Sequence, residues 1–451
     1  MSSGDYICPL EWRYGSQEMR KLFTRSNIVK RMLDVEVALA YGLAAAGIMP
    51  LDYAKKIEES STRVNADDIY ELERRIGHDV MALATLLAEA SGEAGRYVHL
   101  GATSNDIIDT AWALILRDAI NILKNKLREV IYILIEYSRK YRETLMPGRT
   151  HGQHALPITL GFKFANYVYE LARSLERIRE SEKRVIRGKI AGAVGTMAAW
   201  RDKGLIVERK TLQRLGLEPH IISTQVAPRD SFAELASIIA ILGGQLDRLA
   251  TEVRELMRPE IMELAEGTSK RRVGSSTMPH KKNPVTAEKI SGLARVLRGL
   301  VITALENIPL WHERDLTNSS SERILIPHLF LVIDEMLSAT ISLLQNLEVY
   351  EANMLRNLEL TKGEILSEAV MIALVHKGLP RHKAHELLRT ITASATDFRK
   401  ALLENPEILS YLSREELVNL LEPRNYLGMY RELIERSIKY AEAVMSEKDR
   451  S

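Results

Sequence analysis

Prolines are sparse in this chain, and their distribution constrains the fold more than any other sequence feature. No proline lies between Pro50 and Pro147, or between Pro157 and Pro219. A proline inside a helix removes a backbone hydrogen bond and clashes with the preceding turn, so proline-free stretches of this length can form uninterrupted helices. The distribution therefore predicts a protein built mainly from long helices.

Apolar spacing supports the same conclusion. From Asp106 to Tyr141 the apolar residues recur every three to four positions, as they do along one face of a helix. An apolar face of this length is typical of a helix inside a bundle. The same spacing returns in the segments Leu160 to Ile186, Phe232 to Met257, Val285 to Leu305 and Leu325 to Leu347. We therefore expect an all-α fold with a bundle of five long helices.

The 451 residues exceed what one ordinary core requires, and a prior of about 150 residues per domain suggests roughly three domains. We predict an N-terminal helical region over 1–100, a central bundle over 101–348 and a C-terminal helical region over 349–451. At a rise of about 1.5 Å per residue the bundle helices would be about 40 to 55 Å long, more than one chain needs to bury. We therefore expect an oligomer.

Charge and cysteine content exclude several classes of protein. The 62 basic and 60 acidic residues are largely interleaved and leave a net charge of +2, so no bulk field favours nucleic acid. The single cysteine, Cys8, excludes an intrachain disulfide and a cysteine-based metal cluster. No signal-peptide pattern or stretch of about 18 uncharged apolar residues is present. We expect a cytoplasmic protein without nucleic-acid or membrane partners.

The run from Gly274 to Pro284 reads GSSTMPHKKNP and places hydroxyls, cations and an amide in one short loop. Its glycine, serines and prolines argue against regular structure, and helical spacing resumes after Pro284. The loop therefore leads into a helix N-terminus, where free backbone N–H groups favour an anion. Taken singly, the same residue types would suit a polar surface loop.

Two histidines follow Pro147, where the spacing suggests that a helix has ended. His151 and His154 lie in the glycine-bearing stretch PGRTHGQH, and imidazole there could act as acid or base near neutral pH. Zinc binding by the pair is disfavoured, because no carboxylate or thiol stands at ligand spacing nearby. A pair of hydrogen-bonded turn histidines is the remaining alternative.

A second polar stretch, HLGATSND at residues 99–106, leads into the first long helix. Its hydroxyls, together with helix N–H groups, suit a carboxylate or a phosphate, although helix capping alone also explains Thr103 and Ser104. His78 precedes Asp79 within a helical pattern, so a buried and hydrogen-bonded His78 is an alternative to a pocket residue.

A third polar stretch runs from Trp311 to Arg323 between two apolar helices. Arg314 and Arg323 can hold oxyanions in bidentate fashion, which a lysine cannot do. A solvated loop of ion pairs is the alternative. The glycine-rich residues 188–196 lack the Gly-Lys-Ser/Thr ending of a phosphate loop, so we assign them no nucleotide role.

These segments, in this order, resemble the adenylosuccinate lyase family of the fumarase/aspartase superfamily. The GSSxMPxKxN signature of the superfamily matches residues 274–283, and the opening WRYGSQEM at residues 12–19 discriminates within it. The resemblance spans nearly the whole chain. It implies a long central helix bundle flanked by two smaller helical domains, assembled as a homotetramer with a twenty-helix core and with active sites shared between subunits.

The resemblance also implies a role for each matching residue. His151 would be the general acid and Ser275 the general base, and Glu288 would orient the catalytic histidine. Lys281 and Asn283 would hold the succinyl carboxylates. The other implied substrate contacts are Arg13 and Tyr14 at the nucleotide end, His78 (also counted as catalytic), Asp79, His99, Thr103, Ser104, Gln225, Ser276, Lys289, Arg314, Ser319 and Arg323.

Two positions depart from the family pattern. Lys289 stands where many relatives have arginine, which loosens a bidentate contact. Gly77 stands where an arginine commonly precedes the His-Asp pair.

The implied activity is a β-elimination that releases fumarate from a small-molecule substrate. Adenylosuccinate would give AMP, and the succinylocarboxamide ribotide (SAICAR) would give its carboxamide product (AICAR), in purine biosynthesis. Removing the proton beside a carboxylate places a second negative charge on it, which Lys281, Asn283 and helix N–H groups would stabilise. The leaving amine needs a proton, which His151 can supply. Ser275 is a poor base in water and would need activation by the surrounding cations. Neither a metal nor an organic cofactor is required.

Two alternative functions remain at this stage. Another enzyme of the superfamily, such as a carboxymuconate cycloisomerase or an argininosuccinate lyase, would share the serine loop without the phosphate contacts. A catalytically silent structural protein on the same scaffold, as some lens crystallins are, is disfavoured by the presence of His151, Ser275, Lys281 and Glu288.

Overall fold

The computed structural model describes residues 7–267, 278 and 281–447, and most of the regular structure in these ranges is α-helical. Nineteen α-helices lie within the described residues: α1 (Pro9–Trp12), α2 (Gln17–Leu22), α3 (Arg25–Ala45), α4 (Leu51–Ser61), α5 (Ala66–Ile76), α6 (Asp79–Ser91), α7 (Ser104–Lys140), α8 (Leu160–Val185), α9 (Gly204–Leu215), α10 (Asp230–Leu256), α11 (Val285–Glu306), α12 (Thr317–Gln345), α13 (Glu351–Glu359), α14 (Ser367–His376), α15 (Arg381–Ser394), α16 (Phe398–Glu404), α17 (Pro406–Tyr411), α18 (Arg414–Leu420) and α19 (Tyr430–Ser446).

The strands are short and form two-stranded sheets. They are β1 (Leu145–Thr150), β2 (Gln153–Thr159), β3 (Arg187–Gly188), β4 (Glu218–Pro219), β5 (Leu264–Glu266) and β6 (Leu347–Val349). β1 pairs with β2 and β5 with β6 in antiparallel fashion, whereas β3 and β4 are parallel. Four 3₁₀ segments cover Gly92–Tyr97, Ala198–Lys203, Glu364–Leu366 and Pro423–Tyr426.

The all-α prediction and its five long helices are confirmed as α7, α8, α10, α11 and α12. The largest error in position concerns α12, which begins at Thr317 and not at Leu325. Asp315 accepts a hydrogen bond from the Thr317 backbone N–H at 2.8 Å, which satisfies one of the free donors of the first turn. Ser319 and Arg323 therefore lie on a helix, and the prediction that they lie in a loop is wrong.

The chain divides into two compact units, each assembled from separate stretches. Unit 1 comprises Met1–Leu127, Ser174–Gly244 and Gly292–Ser338. Unit 2 comprises Arg128–Arg173, Gln245–Ser291 and Ala339–Ser451. The division into three consecutive segments at residues 100 and 348 stays a prediction.

The core of unit 1 includes apolar side chains from α3, α4, α6, α7 and α9. One contact explains how closely α3 and α9 approach. A Cβ at Gly42 of α3 would lie 2.1 Å from Thr211 Oγ1 of α9, so only glycine allows this packing distance.

A second core lies in the C-terminal part of unit 2. Its apolar side chains come mainly from α14 to α18, and include Leu374, Leu388, Leu402 and Leu417, each at most 5% exposed. This core gives the C-terminal helices their own packing.

One helix of the described chain, α12, is long and apolar enough to cross a membrane by length and composition. Its most apolar window is 67% buried within the protein. A core helix passes the same test, and α12 carries Asp334, which is fully buried and forms an ion pair with Lys126. The helix is therefore weak evidence for a membrane span.

In unit 1, a buried ion pair joins α7 to the residue that directly follows β3. The side chains of Lys189 and Asp106 are both fully buried, and Lys189 Nζ lies 2.7 Å from Asp106 Oδ1. The same carboxylate accepts backbone N–H groups from Ala191 and Gly192 at 2.8 and 3.0 Å. Asp106 therefore anchors the chain that follows Lys189.

Because the pKa of Glu208 on α9 is raised, we expect the stability of the fold to depend on pH. Burial, with a smaller contribution from the charge of Asp106, raises the pKa of Glu208 from 4.5 to about 7. The folded state thus holds this proton to higher pH than the unfolded chain, so stability decreases as pH rises from about 4.5 to about 7. We expect Glu208→Gln, which mimics the protonated side chain, to raise the free energy of unfolding at about pH 8 and not at about pH 4. Urea unfolding at both pH values tests this; equal effects at the two would contradict it.

Candidate active site

His151 lies at the tip of the hairpin formed by β1 and β2. Thr150 pairs with Gln153, which leaves only His151 and Gly152 in the turn, and their φ angles are 54° and 75°. Positive φ at both central residues is the geometry of a type I′ turn, whose twist matches that of the flanking strands. The His151 side chain is exposed.

The hairpin differs from the predicted local structure, in which a helix ends at Pro147 and a loop follows. α7 ends at Lys140, and Pro147 lies within β1, so no helix ends at Pro147. The glycine and proline residues predict a loop, whereas the register places them in paired strands with a bulge between Pro147 and Arg149.

A buried ion pair attaches this hairpin to the rest of unit 2. Arg149 on β1 donates two hydrogen bonds to Glu263, from Nη1 to Oε2 at 2.8 Å and from Nη2 to Oε1 at 2.7 Å. His154 lies opposite Arg149 across the hairpin. Burial, and then the charge of Arg149, lowers the pKa of His154, while Glu263 opposes them. His154 is thus held in its neutral form more strongly than an exposed histidine.

Four predicted site residues lie just before α11 or near its start. Lys281 and Glu288 are exposed, and Asn283 and Lys289 are half-buried. Ser275 and Ser276, the predicted base and its neighbour, lie outside the described residues. The structure therefore places the segment that follows the serines but does not describe the serines themselves.

The first turn of α11 is already occupied by a carboxylate of the protein. Glu266 accepts hydrogen bonds from the backbone N–H groups of Thr286 at 3.1 Å and Ala287 at 2.7 Å. The Glu288 N–H donates to Pro284 O at 2.8 Å. The expectation that this helix offers free N–H groups to a bound anion is therefore wrong for these three residues. A carboxylate of the substrate would depend on side chains for its stabilisation here.

In unit 1, His78 and Asp79 lie at the start of α6. His78 Nδ1 accepts from the Met81 N–H at 3.3 Å, so in the neutral ring Nε2 carries the proton and donates to Ser104 Oγ at 3.3 Å. The His78 side chain is 45% exposed, so the alternative of a buried His78 is wrong, although both ring nitrogens are hydrogen-bonded. Asp79 accepts from Arg323 Nη2 at 2.7 Å.

Arg314 pairs with another predicted contact. Its Nη1 donates to Gln225 Oε1 at 3.0 Å. Burial is the main influence on Arg314 and lowers the pKa of its guanidinium, which still carries its charge at neutral pH. The solvated ion-pair loop proposed for this segment does not describe Arg314, which is half-buried.

A cavity of about 290 Å³ in unit 1 brings four of the predicted substrate contacts together. Asp79, Arg314, Ser319 and Arg323 line its polar side. Most of the remaining wall is apolar, with Phe23, Ile28, Val29, Met32, Ile69, Ile108, Ala111, Trp112, Ile115 and Pro327. An apolar cleft with a few converging charged groups is the usual form of a small-molecule site.

Two other predicted contacts, His99 and Thr103, lie just before α7 and are hydrogen-bonded to buried carboxylates. His99 has a φ of 57°, and its ring Nδ1 lies 2.6 Å from Glu36 Oε1. Burial lowers the pKa of His99, but its hydrogen bond to Glu36 and the charge of Glu36 outweigh this and raise it overall. Thr103 donates its backbone N–H to Asp106 at 2.8 Å. Both residues therefore have a structural role in the loop before α7.

The N-terminal segment with Arg13 and Tyr14 is attached to α12. The next two backbone N–H groups donate to its carboxylates, Gly15 to Glu335 at 3.0 Å and Ser16 to Asp334 at 2.6 Å. The Arg13 guanidinium lies 5.8 Å from the centre of the Tyr14 ring.

The sequence does not predict a buried charge network, most of whose members line the cavity itself. Arg229 Nη2 lies 2.8 Å from Asp109 Oδ1, and Arg229 Nε lies 3.0 Å from Glu322 Oε1. Two amides complete it: Asn105 donates to Asp109 at 3.1 Å and Asn318 to Glu322 at 2.9 Å. The only local signal was the spacing of four residues within each amide–carboxylate pair, which also fits a solvated helix face.

Metal binding has no support in the part of the chain that the structure describes. Within residues 7–267, 278 and 281–447, no group of three or more His, Cys, Asp and Glu side chains could hold a metal ion.

Comparisons with known protein families place matches along most of the chain. The family described as Lyase matches residues 13–299, and the family described as Adenylosuccinate lyase C-terminus matches residues 363–437. The chain is 45% identical over 442 residues to an adenylosuccinate lyase of Pyrococcus abyssi. The aligned region covers 97% of this chain and 98% of the relative. It is 45% identical over 441 residues to the adenylosuccinate lyase of Methanothermobacter thermautotrophicus, with 96% and 98% covered.

Solved structures show the same fold. A fumarate lyase from Mesorhizobium sp. BNC1 superposes with a TM-score of 0.87 at 32% identity and covers 94% of this chain and 98% of its own. The 3-carboxy-cis,cis-muconate lactonizing enzyme from Pseudomonas putida gives a TM-score of 0.88 at 32% identity, with 97% and 99% covered.

Proposed function

Since the chain belongs to the adenylosuccinate lyase family, it is a fumarate-releasing carbon–nitrogen lyase of purine biosynthesis, and we propose which of its residues perform the reaction. The substrate is a small succinyl-bearing molecule: adenylosuccinate gives AMP and fumarate, and SAICAR gives AICAR and fumarate. In both, a proton leaves the carbon beside a carboxylate, its electron pair forms the double bond of fumarate, and the carbon–nitrogen bond breaks.

We propose His151 as the acid that protonates the departing nitrogen, and Ser275 as the base that accepts the carbon-bound proton. The exposed tip of a hairpin leaves the His151 ring free to reach a substrate. Lys281 and Asn283 hold the succinyl carboxylates, Ser276 and Lys289 are further substrate contacts, and Glu288 orients the catalytic histidine. Because Glu266 occupies the first N–H groups of α11, these side chains carry more of the charge stabilisation than a free helix end would require of them.

The cavity of unit 1 is the observation that carries the nucleotide part of this proposal. Three arginines line it: Arg314 and Arg323, together with Arg229, and most of the other lining residues are apolar. Arg229 is already paired with buried carboxylates, so Arg314 and Arg323 are the guanidinium groups proposed for a ligand. Arginine binds phosphate in a bidentate way, and apolar walls suit a heterocycle. Arg323 is paired with Asp79 at 2.7 Å, so a bound phosphate would share or replace that partner.

The other predicted contacts complete the proposed substrate site. They are Arg13, Tyr14, His78, His99, Thr103, Ser104 and Gln225. His78 and Ser104 already share a hydrogen bond, as do Gln225 and Arg314.

We also propose that the enzyme is a cytoplasmic homotetramer with active sites shared between subunits. Large apolar side chains are exposed on the bundle helices of unit 1, among them Val296, Ile302 and Leu305 of α11 and Ile324 of α12, which are 46–65% exposed. A subunit interface would bury such side chains.

The activity is tested by incubating the purified protein with adenylosuccinate and following ultraviolet absorbance and released fumarate. We expect turnover by the unaltered chain, and a loss of about 10²-fold or more in Ser275→Ala, because no other base is proposed. Ser410→Ala, an exposed hydroxyl on α17, is the matched control and should retain activity. Turnover of carboxymuconate or argininosuccinate but not of adenylosuccinate would contradict the proposed substrate.

The nucleotide pocket has its own test. Arg314→Ala and Arg323→Ala each remove charged hydrogen bonds worth about 1.5 to 3 kcal/mol, so we expect kcat/KM for adenylosuccinate to fall by about 10- to 100-fold in each. Steady-state kinetics measures this, with Arg209→Ala, an exposed residue of α9, as control. Unchanged kcat/KM in both variants would contradict a phosphate site in this cavity.

A further inference from the structure

The strand β5 and the residue directly before it carry two buried carboxylates, which bind different segments of unit 2. Glu263 directly precedes the strand and is 0% exposed, and Glu266 ends it and is 6% exposed. Burial of a carboxylate is costly unless its charge is paired or hydrogen-bonded. Their partners therefore show what this strand is built to hold.

Glu263 holds the hairpin of His151. Both carboxylate oxygens accept from Arg149, at 2.8 and 2.7 Å, and Oε1 also accepts from Asn357 Nδ2 at 2.8 Å. Arg149 lies two residues before His151, and a bidentate pair restricts both the distance and the orientation of its partner. The direction of the hairpin tip therefore depends on Glu263.

Glu266 holds the segment of Lys281 and Asn283. Its two oxygens accept from Thr286 and Ala287, at 3.1 and 2.7 Å, and so attach the first turn of α11 to β5. The Val285 N–H in turn donates to Asn283 O at 2.9 Å. The backbone between Asn283 and the helix therefore depends on Glu266.

The strand itself is a firm support. β5 pairs with β6 along Leu264–Glu266, and the Gly267 N–H donates to Asn346 O at 2.7 Å. Glu263 also accepts the Tyr350 N–H through its backbone O at 3.0 Å. Two carboxylates three residues apart, one just before this strand and one at its end, set the positions of both attached segments relative to each other.

We propose that Glu263 and Glu266 are positioning residues for catalysis, which place the proton donor and the carboxylate-binding segment in register. The inference rests on the proposed function of His151, Lys281 and Asn283. Neither glutamate touches the substrate in this scheme. A displacement of about 1 Å in a catalytic group can reduce the rate by about 10²-fold, so a carboxylate that holds a segment can matter as much as a group within it.

The experiment compares Glu263→Gln and Glu266→Gln with Glu252→Gln in the full-length enzyme. Glu252 is the matched control, because it lies in the same unit and pairs with Lys163 at 2.6 Å without contacting either segment. We expect kcat to fall by about 10- to 100-fold in the two β5 variants, with KM changed less than kcat, and no comparable loss in the control. Circular dichroism and thermal unfolding establish that each variant is folded.

A second variant addresses Glu263→Gln proteins that fold poorly. Arg149→Met with Glu263→Met replaces the whole pair by apolar side chains, which often restores stability lost by removing one partner. We expect the unfolding temperature to recover while kcat stays at least about 10-fold low, because the directional contact is gone. Recovery of kcat together with stability would show a purely structural pair and overturn the inference for Glu263.

The outcomes separate this inference from the proposed function. An unaltered enzyme that releases no fumarate contradicts the proposed function itself. If His151→Asn is inactive while folded Glu263→Gln and Glu266→Gln keep the kcat of the unaltered enzyme, the positioning inference alone is wrong. A low kcat in both β5 variants with a normal control supports it.

Discussion

Replacing His151 with asparagine is expected to lower kcat by about 10²- to 10⁴-fold without loss of stability. The rate falls because the departing nitrogen loses its proton donor. Stability is retained because Asn-Gly is the preferred sequence for a type I′ turn, and His151 and Gly152 have φ angles of 54° and 75°. Alanine would be a poorer choice, since a left-handed conformation costs it about 1 to 2 kcal/mol.

Fumarate release at saturating substrate measures kcat, and thermal unfolding measures stability. Gln153→Ala is the matched control, because this residue is exposed and directly follows the turn. A variant that keeps the kcat of the unaltered enzyme would show that His151 is not the acid. A large loss of stability in His151→Asn would show that the turn geometry is not the one described.

Replacing Asp106 with asparagine is expected to reduce the free energy of unfolding by about 3 to 5 kcal/mol. The change leaves Lys189 charged, fully buried and without its 2.7 Å partner. It also weakens acceptance of the Ala191, Gly192 and Thr103 N–H groups, which lie 2.8 to 3.0 Å from the carboxylate. A buried charge that loses its partner is among the largest single-residue effects on stability.

Denaturant unfolding of three variants tests this account. Asp106→Asn with Lys189→Met should recover a large part of the loss, because the unpaired charge is gone. Asp118→Asn, whose partner Arg31 is 22% exposed, should cost about 1 kcal/mol or less. A double variant as unstable as Asp106→Asn alone would assign the loss to the backbone hydrogen bonds and not to the buried charge.

The sequence predicts residues of the proposed site better than it predicts the buried residues that hold them in place. Among the residues that line the cavity, motifs predict Asp79, Arg314, Ser319 and Arg323 but not the charged pair Arg229 and Glu322. The predicted loop position of Ser319 and Arg323 is wrong, because the polar run from Thr317 forms the start of α12. Polar side chains can continue a helix when they face a buried charge network, and Glu322 with Arg229 provides that network here.

The hairpin at His151 shows a different limit. A turn signal of glycine with polar neighbours was visible, but strand pairing depends on a partner segment and cannot be read from one short stretch. The sequence therefore does not predict the hairpin turn that exposes His151, and only the structure shows it.

Local physics explains what the sequence by itself determined. The absence of proline and the three-to-four spacing of apolar residues determined the long helices, because both act within a few turns of the chain. Its motifs, by resemblance, determined the family. Only the tertiary structure decided how charges are paired, since Asp106 and Lys189 are 83 residues apart and Arg149 and Glu263 are 114 apart. The free energy of a buried charge depends on the partner that folding brings to it, and no local pattern encodes that partner.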